Sequence, residues 1–165
     1  MALRFGIMIA TAMLGACATA SANGGAEEAV ESVSYETGPC FGACPVYLVT
    51  VNADGSGIFE GMRWTAVEGR REFRVTPDQY RAFVGHLEPL RPRQGEVRYS
   101  GEACSTMATD LPSVEVKWRS NGGAGQSLYF YYGCDMDRNR AIAERLEKAP
   151  DLLPIAHLIR HDQPR

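Results

Sequence analysis

Two stretches of this chain alternate apolar with polar residues and then double back on themselves. In VYLVTVNADGSGIFEGMRW, residues 46–64, two β-branched and aromatic runs flank Asp54-Gly55, a pair that readily adopts the positive-φ backbone of a tight hairpin turn. In the stretch 113–134, SVEVKWR sets Val114, Val116 and Trp118 against Glu115, Lys117 and Arg119, SNGGAGQ turns the chain, and SLYFYYGC returns it. Strands joined by a turn pair antiparallel, whereas parallel strands need a crossover of roughly a dozen residues or more. A short strand at 72–75, EFRV, extends the first hairpin into a meander.

Helical signals follow each strand group. Thr76-Pro77-Asp78-Gln79 forms a capping box with Pro at the first helical position. Tyr80, Phe83, Val84 and Leu87 then fall on one face of a helix over 77–88, which Pro89 and Pro92 end. A second helix over 137–148 has Asp135 or Asp137 as its cap, Ile142 and Leu146 toward the core, and Glu144 and Lys148 spaced to pair. A third covers 152–160, with Pro154 in its first turn, and 93–112 reads as irregular. Strands, helix, strands, helix, all with local connections, predict an α+β fold: an antiparallel sheet of about five or six strands with two or three helices on one face.

Sulfur decides between a staple and a working site. Cys40, Cys44, Cys104 and Cys134 allow three connectivities. Loop entropy does not choose among them, giving about 2 kcal/mol for a 40–44 bridge and about 3.7 for 104–134, with cross-pairing slightly higher. Geometry does: Gly42 permits a turn tight enough to bring Cys40 to Cys44. Cys104 and Cys134 then pair by elimination. The alternative is that C-x3-C-P, Cys40 to Pro45, handles thiols or metal. It resembles the motif of the Sco-type membrane-anchored copper chaperones, whose two thiolates hold Cu(I) together with a distant His, and soft sulfur suits that ion. There the motif opens a helix, whose N-terminus lowers a thiol pKa; here it runs into VYLVTVNADG, a strand and turn. The only histidines are His86, His157 and His161, and His86 reads as a surface or satisfied core residue. No metal and no other cofactor is expected.

The start of the sequence points to export. Arg4, an apolar run from Phe5 to Leu14 and the small residues that follow have the layout of a signal peptide, too short to span a bilayer. Leu14-Gly15-Ala16-Cys17 resembles the bacterial lipoprotein cleavage box. That resemblance implies that residues 1–16 are removed and that Cys17 carries a diacylglyceryl thioether and an acyl amide, enough acyl chains for durable anchoring. Ala18, in place of Asp, resembles the signal for transfer to the outer membrane. Residues 17–32, with almost nothing large and apolar, read as a tether, and 33–165 as one globular domain. A formal net charge of −3 argues against nucleic acid as a partner, leaving the membrane, reached through the lipid alone, and an envelope protein or polymer. Tyr129 and Tyr131, outward on their strand, are the candidate partner surface.

Cys40 to Tyr47 as C-F-G-x-C-P-x-Y, followed by a strand, the Asp54-Gly55 turn and IFEG at 58–61, is similar to an uncharacterised bacterial domain family of exported proteins and lipoproteins. Membership implies no activity. The expectation is a non-catalytic, lipid-anchored module of the cell envelope; a periplasmic thiol-redox or copper protein acting through Cys40 and Cys44, or an inhibitor of an envelope-directed hydrolase, are the alternatives.

Overall fold

The computed structural model describes residues 30–120 and 125–160. Seven strands make one sheet: β1 (Val30–Thr37), β2 (Val46–Asn52), β3 (Ser56–Arg63), β4 (Gly69–Arg74), β5 (Glu96–Tyr99), β6 (Ser113–Ser120) and β7 (Gln126–Tyr131), in the order β4-β3-β2-β1-β6-β7-β5. Among the described residues three helices accompany it: α1 (Pro77–Leu87), α2 (Arg140–Lys148) and the single turn α3 (Ala156–Ile159).

Alternation puts one face of every central strand into the core. Val33 lies opposite Val51 and Trp118, Tyr35 opposite Val49 and Val116, and Val49 opposite Phe59; all are buried. The helices cover this face. Tyr35 Oη donates to the Leu146 carbonyl of α2 at 2.9 Å, Tyr80 Oη of α1 donates to Val30 at 2.8 Å, and the amides of Ala66 and Val67 bond the carbonyls of Ile159 and Leu158. The helices also hold each other, through His86 Nε2 donating to the Arg145 carbonyl at 2.8 Å and Arg145 Nη1 donating to the His86 carbonyl at 2.9 Å. Among the described residues no helix covers the other face, which carries Ser34, Glu36, Thr50, Glu60, Glu115 and Lys117, in keeping with the alternation along these strands.

Both predicted hairpins form, and the Thr76 capping box closes at both ends. Four expectations need correction. The sheet has seven strands, not five or six, because β1 and β5 escape a reading based on turns. β1 is the central strand and starts at Val30, inside the stretch read as tether. β5 lies within the segment read as irregular and pairs parallel to β7, so the sheet is mostly rather than wholly antiparallel. Finally, the helix over 152–160 is instead a 3-10 turn at Ala149–Leu152 followed by α3, since Pro150 and Pro154 each remove an amide donor from a continuous ladder.

The second helix also begins later than expected, at Arg140. The carboxylate of Asp135 is turned to the opposite loop instead of capping it, and Glu144 forms no ion pair with Lys148 among the described residues.

Candidate functional site

A cleft of about 800 Å³ opens on the helix-covered side of the sheet, at the end where β1 and β7 finish and β2 and β6 begin. Strand alternation supplies its floor. The inward positions of β1 and β2 nearest this end are Tyr35 and Tyr47, and Phe130 and Tyr132 occupy the same side of the chain leaving β7. The rings interlock: Tyr35 to Tyr47 at 6.3 Å, Tyr47 to Phe59 at 5.5 Å, and Phe130 edge-on to Tyr132 at 5.2 Å. Burial pushes the phenols of Tyr35, Tyr47 and Tyr132 well above the ordinary tyrosine value, and Glu147 adds to this at Tyr35 and Tyr132. All three therefore stay neutral at ordinary pH.

The rim is charged. One side of α2 brings Arg140, Ala143, Glu144 and Glu147 to the cleft, and Asp151 and Arg160 face it from the C-terminal turns. Asp137 pairs with Arg140 at 2.8 Å and Asp151 with Arg160 at 3.9 Å. Glu144 and Glu147 have no ion-pair partner among the described residues.

Two disulfides brace the loops around this opening. Cys40 and Cys44 are bonded, with Cα atoms 5.8 Å apart, in the loop between β1 and β2, where Gly42 takes φ 146°. Thr37 Oγ1 donates to the Pro45 carbonyl at 2.8 Å and accepts from the Tyr47 amide at 3.0 Å, so the loop's base is fixed to the floor. The Gly38 amide reaches the Ser113 carbonyl at 2.7 Å and the Phe41 amide the Asp110 carbonyl at 3.1 Å. Cys104 and Cys134 are also bonded, 5.2 Å between Cα atoms, tying the segment before β6 to the chain after β7. Beside them the Asp135 carboxylate accepts from the amides of Ser105 and Thr106 at 3.0 and 2.7 Å, and these bonds hold its pKa below the usual carboxylate value.

Further unusual features gather at the same end. Of the six exposed large apolar side chains among the described residues, Phe41, Met62, Trp64, Met107 and Met136 belong to it and Val97 does not. Among the described residues the three non-glycine residues with positive φ, Trp64, Asp110 and Asp135, all lie in its loops. Each such conformation costs on the order of 1–3 kcal/mol and persists only where the surroundings hold it.

A family model for a domain of unknown function, DUF6438, matches residues 31–150. The chain belongs to the DUF6438 family. No curated protein and no solved structure matches it. The DUF6438 match takes in the sheet except Val30, both disulfides and α2, while Asp151 and Arg160 on the cleft rim fall beyond it. The C-x3-C-P stretch from Cys40 to Pro45 opens no helix and leads into β2. Among the described residues no group of three or more His, Cys, Asp or Glu is placed to hold a metal ion, and no helix is long and apolar enough to cross a membrane.

The remaining candidates lie elsewhere. Tyr129 and Tyr131 sit half-buried on the open face, away from the cleft. The guanidinium of Arg98 stacks 4.1 Å over the Tyr129 ring, and Tyr131 Oη accepts from the Leu111 amide at 3.3 Å. His86 is satisfied between the helices, and Cys17 and His161 lie outside the described residues. The cleft tyrosines were not expected as site residues. The signal available for them was placement: each is an aromatic with a polar tip at an inward position next to a Gly- and Pro-containing loop.

Proposed function

We propose that this DUF6438 chain is a lipid-anchored module of the bacterial envelope, attached through Cys17 to the periplasmic face of the outer membrane, which binds an envelope protein or polymer without catalysing a reaction on it. The observation that carries the reading is the concentration at one end of the sheet of an aromatic-floored cleft, both bridges, the strained loops and the exposed apolar tips. Rigid loops around a concave apolar site with a few polar groups suit recognition. β1 begins at the opposite end of the sheet, so the chain leading to Cys17 joins the domain away from the cleft. Residues 17–29, fully extended, reach at most about 45 Å.

Bonded cysteines in a loop that enters a strand support mortar over redox or copper chemistry. The inhibitor reading keeps one supporting feature: Phe41, 89% exposed, is presented on a bridge-braced loop. It predicts that Phe41→Ala alone abolishes partner binding, whereas a cleft site tolerates that change.

Two measurements test the proposal. Cys17→Ser should release the protein from the membrane fraction, and unchanged retention would contradict the anchor. Thiol titration of purified protein should find no reactive thiol until it is unfolded with reductant; one equivalent of copper held by the reduced protein and lost in Cys40→Ser would overturn the non-catalytic reading.

A further inference from the structure

The cleft carries more than a general capacity to bind. Its carboxylates outnumber its guanidiniums, and once Asp137 pairs with Arg140 and Asp151 with Arg160, Glu144 and Glu147 are left at the rim without ion-pair partners among the described residues. They stand three residues apart on one side of α2, a spacing that sets side-chain bases about 5–6 Å from each other. Below them the floor is aromatic, and ring faces attract cations. One polar atom there is also unused. Tyr47 is only 4% exposed and lines the cleft, yet among the described residues its hydroxyl makes no hydrogen bond, unlike that of Tyr35, which is committed to Leu146.

A free anion would meet two uncompensated carboxylates, and a wholly apolar ligand would leave both the Tyr47 hydroxyl and the charged rim unanswered. We infer that the cleft takes an organic cation on an apolar stem, an ammonium or guanidinium of the kind that ends a lysine or arginine side chain, with its charge at Glu144 and Glu147, its stem on the tyrosine floor and a neighbouring acceptor on the Tyr47 hydroxyl. The inference rests on the binding-module reading. The same head group occurs on basic peptides and on free alkyl amines, and the peptide carbonyl is what distinguishes them at Tyr47.

Calorimetric titration of the purified full exported chain with tetralysine, with its Nε-acetylated form, with tetraglutamate and with hexane-1,6-diamine tests this. Tetralysine should bind, weaken at least about tenfold on acetylation and weaken as salt rises toward about 0.5 M, because rim charges are screened. Glu144→Gln with Glu147→Gln should cost about tenfold for both amine probes, since a lost charge-assisted contact of about 1.4 kcal/mol is one decade. Tyr47→Phe keeps the stacked ring. It should weaken tetralysine several-fold and leave the diamine unchanged if a peptide is the natural source; equal diamine binding untouched by Tyr47→Phe points to a free amine. Equal binding of the acetylated peptide, or binding indifferent to the glutamine pair in variants with unchanged circular dichroism, overturns the inference. If acetylated peptide or tetraglutamate binds and Ala143→Trp abolishes it, the cleft stands as a binding site and only the cation assignment falls.

Discussion

Asp135 concentrates several local demands in one side chain. Its backbone is left-handed, at φ 42°, and its carboxylate closes the loop that Cys104 begins by accepting two amides and the Thr106 hydroxyl. Because those bonds lower its folded-state pKa, its contribution is complete above the unfolded value near about 3.9 and is lost as pH falls through the lower folded value. Thermal unfolding followed against pH should therefore show acid sensitivity below about pH 4 that is reduced in Asp135→Asn, and that variant should melt lower at neutral pH. The buried phenols act at the other extreme. Their folded-state pKa values are raised, so their contribution is complete below about pH 10 and is lost as pH climbs from there. Tyr132→Phe should shift the alkaline unfolding midpoint upward, read by circular dichroism; no shift would mean that Tyr132 ionises freely in the folded state. Inward residues such as Val116 and Trp118 were legible because polar partners alternate with them. The cleft tyrosines were not, because the same alternation describes any core aromatic and says nothing about what lies over it.

At the scale of the element, legibility follows how local the instruction is. The hairpin β2–β3 and the cap of α1 are written in adjacent residues, and Thr76 Oγ1 duly accepts from the Gln79 amide while Gln79 returns a bond to Thr76. Thr76→Ala should cost about 1 kcal/mol in chemical denaturation. β1 and β5 depend on distant chain. In VESVSYET only Val33 and Tyr35 are buried apolar side chains, and the polar residues around them, Glu31, Ser32, Ser34 and Glu36, look like linker when read alone. β5 is four residues long, and its partner β7 is parallel and distant in sequence, so no turn announces it. Cysteine pairing was legible from Gly42, which lets Cys40 meet Cys44, and from elimination, which leaves Cys104 for Cys134. The bridges should differ in weight: by chain entropy, Cys104→Ser with Cys134→Ser should lower stability by about 3.7 kcal/mol, and the Cys40 and Cys44 double variant by about 2. Denaturant midpoints of the two variants check that order.

The whole molecule is polar in a directional sense. Among the described residues the short β2–β3 turn at Ala53 and Gly55 lies at the end where β1 begins, whereas the bridged loops, the non-glycine positive-φ residues and the exposed aromatics lie at the other. Strain and exposed apolar surface both lower stability in isolation, and their coincidence around a cleft is what a recognition surface requires. Under the proposed anchoring through Cys17, attachment on the side where β1 begins would present that surface away from the membrane. The most direct test is photo-crosslinking in intact cells, with the reactive residue placed in turn at Phe41, at Ala143 and, as the far-end control, at Asp54. The account predicts a discrete adduct from Phe41 and Ala143 and none from Asp54; adducts from Asp54 alone, or equally from all three positions, would contradict it.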